Sequence, residues 1–441
     1  MKAKRIVSIL LTGSMLLSLL PVSALAAAPV FDAPAQTTAK KAAPLVQEAD
    51  ASRSTEEEAA TRSSRDLDAE NGTAESFTIQ LNADGTPAGS GVDGNWYYDP
   101  SSGGRLYLYN GGFTLKPSSE SGAESALQGV ELIINQNADF ADGTVGYWTN
   151  NAGIISGGTF QGNVNNDKTI SDGTFKEEVF NYGTISDGTF QGSVYNSKDI
   201  SGGTFQKPVN NYGGTISGGI FKKAVEVYAS AGHNATIEGG TFEKGMKLAN
   251  DDASITISDG LFDGEVFIER CRSPLSISGG LFTKAVDASI TDPTNLSITG
   301  GYFVSKPTLP EDSDISFTSV SDQNGRHFQV IVNKGWSETG YNELYVPRGS
   351  SEQPNTITVK TDTALIDCRA ADADVDVSIM SSVVSKGGNT YEIPMRNYEK
   401  IVLVTEEPLP PTDNPGELDP DFSSGAAALG VVLATAGFGS I

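Results

Sequence analysis

Between Ile155 and Phe303 one six-residue pattern recurs nine times: Ile, a polar residue, Gly or Asp, Gly, a variable residue, Phe. Its apolar ends are Ile155 and Phe160, Ile170 and Phe175, Ile185 and Phe190, Ile200 and Phe205, then Ile216 and Phe221. The series continues with Ile237 and Phe242, Ile257 and Phe262, Ile277 and Phe282, and Ile298 and Phe303. Successive Phe residues are 15 or 16 apart as far as Phe221 and 20 or 21 apart beyond it. Two looser copies lie upstream, Leu108 to Phe113 and Phe140 to Val145. Self-similarity at this period is the mark of a stacked-repeat architecture.

A second register runs beside the first. Val164, Val179, Val194 and Val209 each follow a repeat Phe by four, and Asn166, Asn181, Asn196 and Asn211 come two residues later, with Asn151 one period earlier. Each early unit therefore offers three short extended pieces centred on Ile, Phe and Val, too short for helices and separated by turn residues. Units of this size cannot fold alone; stacked as coils, they set Ile over Ile and Phe over Phe and build a continuous core. The Asn row fits an amide ladder from coil to coil. The predicted fold is all-β, a parallel β-helix or β-solenoid with 15-residue coils widening to coils of about 20, flanked by β-rich caps. Nine to eleven coils at ~4.8 Å each give a rod of about 43 to 53 Å.

The change of period carries information. After Asn211 the ladder position becomes Val227, Leu248, Ile268 and Ala288, as expected if the third strand lengthens and the core widens. The residue before each Phe should point outward by strand alternation. It is Thr159, Thr174, Thr189 and Thr204 early, and Ile220, Thr241, Leu261, Leu281 and Tyr302 later. An outward apolar row needs cover. The nearest candidate is the segment 306–405, with β-type runs at Phe328 to Val332, Ile357 to Val359 and Ile401 to Val404. Residues 76–150, with Trp96, Tyr97 and Tyr98, should supply the N-terminal cap and first coils ahead of the repeats at 151–305.

Composition adds an address. Lys2, Lys4 and Arg5 precede an apolar run from Ile6 to Leu20, followed by Ala24, Leu25 and Ala26. This reads as a signal peptide over 1–26. Residues 27–75, rich in Ala, Ser, Thr and Glu, read as a disordered stalk. A Pro- and acid-rich linker over 406–424 leads to an uncharged apolar tail at 425–441. The tail reads either as a truncated membrane anchor, as a sortase-type signal with Asp413 where that motif has Gly, or as a plain apolar end. The expected location is extracellular, attached to a cell surface. Among 441 residues, 30 Lys and Arg against 55 Asp and Glu give a net charge of −25. Such a chain repels nucleic acid.

Chemistry is sparse. With 2 Cys and 2 His the sequence calls for neither a metal centre nor a cofactor. Cys271 and Cys368 read as buried thiols in preference to a bridge. A uronate lyase needs basic residues around its acidic sugar, and the repeat region offers Arg270 and Arg272 beside Cys271, near Glu269 and Asp263. A glycosidase needs two facing carboxylates. Asp172, Asp187 and Asp259, however, stand at a hexamer position shared with Gly157, Gly202 and Gly218, and turn chemistry accounts for them. No catalytic residues are assigned. The strongest surface constellation is aromatic: Trp148, Phe180, Tyr182, Tyr195 and Tyr212, with Tyr147 and Tyr228 nearby. Aromatic faces beside amides suit sugar rings; cross-strand ring pairs that stabilise neighbouring strands are the competing account.

The basic leader, the Ile-Ser-Gly-Gly-Thr-Phe type hexamers, the acidic Pro-rich stretch and the apolar tail together resemble repeat-rich surface proteins of Gram-positive gut bacteria with pectin-lyase-like β-solenoids. The run Gly94 to Asp99 followed by Leu106, Tyr107 and Leu108 looks like entry strands common in such proteins. The resemblance implies surface display, with adhesion to glycans or to host or bacterial surface components, and supplies no catalytic residues. The expected role is a non-catalytic adhesin or glycan-binding scaffold. A polysaccharide lyase or hydrolase on the same scaffold and a structural spacer at the cell wall are the alternatives.

Overall fold

A computed structural model describes residues 75–407 apart from 90, 92–93, 118–125, 349–354 and 373–374. The expected leader and tail lie wholly outside these residues, and the stalk and linker almost wholly so.

The coils form as the periodicity predicts. Each early coil carries three short parallel strands, for example Thr149–Asn151, Ile154–Ile155 and Thr159–Phe160. Each strand pairs with its equivalent one coil on, so that Val164 lies opposite Val179, Ile170 opposite Ile185 and Phe175 opposite Phe190. From Phe160 to Phe303 the nine rings form one buried column, with centroids 4.4–5.0 Å apart and interplanar angles of 4–10°. That spacing is the parallel strand separation. The fourth hexamer position, Gly158 and its eight equivalents to Gly301, has positive φ throughout. A side chain there would be strained, and at Gly158 a Cβ would also come within 2.6 Å of the Phe140 ring.

The asparagine row is a directional ladder. The Nδ2 of Asn151, Asn166, Asn181 and Asn196 each donates to the Oδ1 of the next Asn, at 2.7, 2.7, 2.6 and 2.6 Å. All five residues are fully buried. The two free ends are closed by turn backbone: Gly153 N–H donates to Asn151 Oδ1 and Asn211 Nδ2 donates to the Gly214 carbonyl. Before the ladder stands Ile134, and after it Val227.

At Val227 the coil widens. The third strand grows from three residues to five in Val225–Ala229 and Met246–Asn250 and to six in Val266–Cys271. The Ile and Phe strands fuse into eight-residue strands such as Ala235–Phe242 and Ile255–Phe262. The fusion adds an inner row, Ala235, Ile255, Leu275 and Leu296, in register and buried. A core amide reappears at the new corner, where Asn250 Nδ2 donates to the Ser273 carbonyl and its Oδ1 accepts from Arg272 N–H. The upstream copy Leu108 to Phe113 is out of the predicted frame. Leu108 precedes Ile134 and Asn151 in the ladder column, and Phe113 precedes Phe140 and Ile155 in the Ile column. The pleat of the 13-residue strand Arg105–Pro117, which runs through the corner without a hexamer turn, sets that frame.

The ends are built differently. At the N-terminal end Trp96–Asp99 pairs antiparallel with the start of Arg105–Pro117, and Ser76–Leu81 pairs parallel with its second half. At the other end the strands after Phe303 make two sheets. One comprises Phe317–Asp322, Glu343–Pro347, Leu365–Asp372, Val375–Ser378 and Lys400–Thr405. The second comprises Gly335–Trp336, Phe328–Val332, Thr356–Thr361, Thr390–Pro394 and Val384–Gly387. Their shared core takes in Leu281 and packs against Leu261 and Tyr302. Ile220, by contrast, is 43% exposed, because this cover stops short of it.

The cover stops at a hairpin tip. Asn333 and Lys334 have φ of 52° and 61°, as a two-residue type I′ turn requires. The Asn333 amide accepts from Gly240 N–H at 2.9 Å and donates to the Gly240 carbonyl at 3.1 Å. The Asp259 carboxylate accepts from the Asn333 and Lys334 N–H groups at 2.9 and 3.1 Å. The turn thus latches the C-terminal sheets to the coils.

Two outcomes follow for urea unfolding. Asn181→Val deletes a ladder bond on each side and should cost about 2–4 kcal/mol, whereas Asn211→Val, which deletes one and stands next to Val227, should cost distinctly less; equal losses would show that the ladder is not a coupled unit. Asn333→Gly keeps the turn but deletes the amide pairing with Gly240. It should lower stability by about 1–3 kcal/mol and speed amide exchange at Gly240, and an unchanged exchange rate would remove the latch.

Candidate ligand-contact face

The third strands present one outward residue per early coil. In register these are Ile133, Asn150, Asn165, Phe180, Tyr195, Asn210, Glu226, Lys247 and Phe267. Trp148, from the turn before Thr149, reaches across the Asn165 coil to stack on Phe180 at 6.4 Å and 21°, and Phe180 stacks on Tyr195 at 5.1 Å and 11°. Three of the five predicted site residues are therefore joined. Tyr182 and Tyr212 are not part of that stack. They follow the ladder asparagines on the adjoining corner, where Tyr182 is 50% exposed and Tyr212 lies in register with Tyr228.

Ring orientation limits what the stack can do. Phe180 and Tyr195, nearly parallel and near the ~4.8 Å coil spacing, have their faces turned along the rod axis, toward each other, and Trp148 closes on the other side of Phe180 at 6.4 Å. The faces between neighbouring rings are occupied, which leaves ring edges as the main surface of the stack, and the Tyr195 hydroxyl donates to Glu178 at 3.5 Å. The polar groups alongside are also engaged. Trp148 Nε1 and Asn165 Nδ2 both donate to Asn150 Oδ1, at 3.2 and 2.9 Å, and Asn150 Nδ2 donates to Glu131. Burial, then the neighbouring Glu178, raises the Tyr195 pKa. Burial, with Tyr195 and Glu226, does the same for Tyr212. Both hydroxyls therefore stay protonated donors through the neutral range. A further stack, Tyr97, Tyr107 and Tyr109 at 6.2 Å steps, stands at the N-terminal end of this face. Sequence reasoning passed it over; the alternation of Tyr with Leu from Leu106 to Tyr109 was its signal.

The residues weighed for catalysis hold the fold. Asp172, Asp187 and Asp259 each accept from the N–H of the following glycine at 2.7, 2.7 and 2.8 Å. Arg270 and Arg272 converge on Asp251, not on Glu269 or Asp263: Arg270 Nε is 2.9 Å and Arg272 Nη1 3.1 Å from Oδ1. Tyr228 donates to the same carboxylate, which raises its own pKa, and its ring lies 5.6 Å from the Arg270 guanidinium carbon. Glu269 pairs with Lys247 at 2.9 Å. With Asp252 beside Asp251, the patch is balanced in charge. Among the described residues no cluster of three His, Cys, Asp or Glu is placed to hold a metal ion.

Concavity lies elsewhere. A cavity of about 430 Å³ runs over the glycine turns between Asp187 and Thr241, walled by Asn333 and Lys334. A second, of about 320 Å³, lies beyond the hairpin over Gly279, Gly280, Gly300 and Gly301. No family model, curated protein or solved structure matches this chain.

Both cysteines are free and buried. Burial raises the Cys271 thiol to about 11 and the Cys368 thiol to about 12. At pH 8 only about one Cys271 in a thousand is then thiolate. A colorimetric thiol reagent at pH 8 should label the native protein more than a hundredfold more slowly than the urea-unfolded chain; immediate labelling of two thiols would contradict this.

Proposed function

We propose that the chain is a secreted, cell-surface-held β-solenoid that acts without catalysis, as an adhesin or glycan-binding scaffold. The observation that carries the reading is how the polar groups are used. The repeat carboxylates close turns and the arginines pair with carboxylates, while the outward columns present hydroxyls, amides and ring edges along many coils. Such a surface recognises by repetition. A lyase or hydrolase would instead need acidic and basic groups converging where a sugar could reach them.

The leader supports export, and the Pro- and acid-rich linker with its apolar tail supports attachment to a membrane or wall. The resemblance to surface proteins of Gram-positive gut bacteria supports the same setting. The partners that fit are glycans and surface components; a net charge of −25 opposes nucleic acid. Trp148, Phe180 and Tyr195, with Tyr182 and Tyr212 on the next corner, remain one contact strip, limited to ring edges and hydroxyls. The covered faces between Trp148, Phe180 and Tyr195 favour a second reading, a spacer that holds other parts of the chain away from the wall.

A glycan array probed with the full chain, followed by titration calorimetry on the hits, separates the two. The adhesin reading expects reproducible binding to at least one glycan class, with surface proteolysis of intact producing cells releasing the chain. No binding on either assay leaves the spacer.

A further inference from the structure

The row of glycine turns is a floor of few side chains along the rod, interrupted by Asp187 and Asp259, and the Asn333–Lys334 hairpin stands on it at Gly240 and Asp259. On one side of the hairpin, floor and wall enclose the cavity of about 430 Å³, toward the lower end of the ~300–1,000 Å³ of small-molecule sites. Resting on the glycan-binding reading above, we infer that this cleft is where the chain holds a short segment of neutral glycan.

Three observations select that ligand. First, the floor offers no strand edge. The N–H groups of Thr204, Ser217, Ile220 and Thr241 donate to carbonyls of the preceding coil at 2.8–2.9 Å. An added peptide strand would therefore find these ladder donors engaged, and recognition falls to side chains. Second, the lining side chains are hydroxyls and carboxylates, Thr204, Ser217, Thr241, Asp187 and Glu238, with Lys334 on the wall. Carboxylates accept from sugar hydroxyls, and two of them against one ammonium disfavour an acidic sugar. Third, Ile220 breaks a column of threonines. It stands in register between Thr204 and Thr241, is 43% exposed, and gives the cleft a single apolar patch. A pyranose ring, with hydroxyls around its rim and C–H groups on its face, matches that distribution, and no ring stacking is required.

Residues take distinct roles in this arrangement. Glu238 is exposed and accepts hydroxyls at the mouth. Asp187 has one oxygen held by Gly188 N–H and offers the other. Ile220 packs beneath the sugar's C–H face. The hairpin wall is fixed by the latch, so the cleft is pre-formed and ligand binding orders little new structure.

The test is titration of the full chain with hexasaccharides of mannose, xylose and glucose, and with oligogalacturonate as the acidic counterpart. At least one neutral probe should bind, and oligogalacturonate should not. Ile220→Arg and Glu238→Gln, both at exposed positions, should each weaken the neutral probe tenfold or more. Binding that survives both substitutions but is lost in Phe180→Ala or Tyr195→Ala overturns the cleft while leaving the glycan function standing. Preferential binding of oligogalacturonate overturns it as well. Failure of all three neutral probes, together with an empty array, removes both the cleft and the function beneath it.

Discussion

Everything in this protein follows from the requirement that each coil repeat the one below it at the strand spacing. A parallel pair fixes backbones ~4.8 Å apart, so a side chain on the inner face has its counterpart as its nearest neighbour. Phenylalanine satisfies this with an aligned stack, isoleucine with interlocking methyls, and asparagine with an amide that is donor to one neighbour and acceptor from the other. A change from amide to hydrocarbon in the buried corner column is matched by a change in coil geometry. That is why the loss of the asparagine row and the growth of the third strand occur at one place, Val227. Where the corner moves outward, its old amide plug becomes interior and is replaced by a hydrocarbon, and a new amide, Asn250, takes up the corner.

A self-propagating stack also has to be stopped. The ring column ends at both sides in perpendicular phenylalanines: Phe140 meets Phe160 at 62° and Phe317 meets Phe303 at 83°. Edge-to-face packing satisfies the last ring's quadrupole without offering another parallel face. The amide ladder ends on turn backbone. The strand edge is capped antiparallel in part, by Trp96–Asp99 along the first half of Arg105–Pro117, whose second half takes the parallel Ser76–Leu81, and at the other end by the contact of Phe303 with Tyr345. Unpaired edges invite association with further chains, and here the ring column, the amide ladder and part of the strand edge are closed by something out of phase with them.

How much of this could be read from the chain depended on periodicity. Ile, Phe, Val and Asn at fixed offsets disclosed the coils, the ladder and the widening, because the same selection acts nine times over on Ile and Phe and four or five times on Val and Asn. Single events were harder to read. The Leu108–Phe113 copy matches the hexamer in composition, but its coil lacks the turn that sets the frame, so its residues fall one column away. Asn250 could not be foreseen, since nothing repeats it. The apolar row at Leu261, Leu281 and Tyr302 correctly pointed to cover from the segment after Phe303, whereas Ile220 looked alike in sequence and lies beyond the hairpin that ends that cover. The difference between a buried and an exposed member of one column is decided by Asn333, 93 residues from the Gly240 it bonds.

The same geometry redirects the search for function. Aromatic residues on a solenoid face suggest a sugar platform, but in the Trp148, Phe180 and Tyr195 stack the rings face one another, so the regularity that gathers them also takes the faces between them out of use. Recognition then falls to places where the repeat is interrupted. The hairpin supplies one such place, standing on a floor of glycines that are there for backbone reasons, the positive φ of Gly203, Gly219 and Gly240 and the close approach of Gly202, Gly218 and Gly239 to carbonyls of the preceding coil. Function in this molecule is sought at the boundary between the periodic body and the aperiodic sheets that cover Leu261, Leu281 and Tyr302, because there the glycine turns, a hairpin wall and unlike side chains line one concavity.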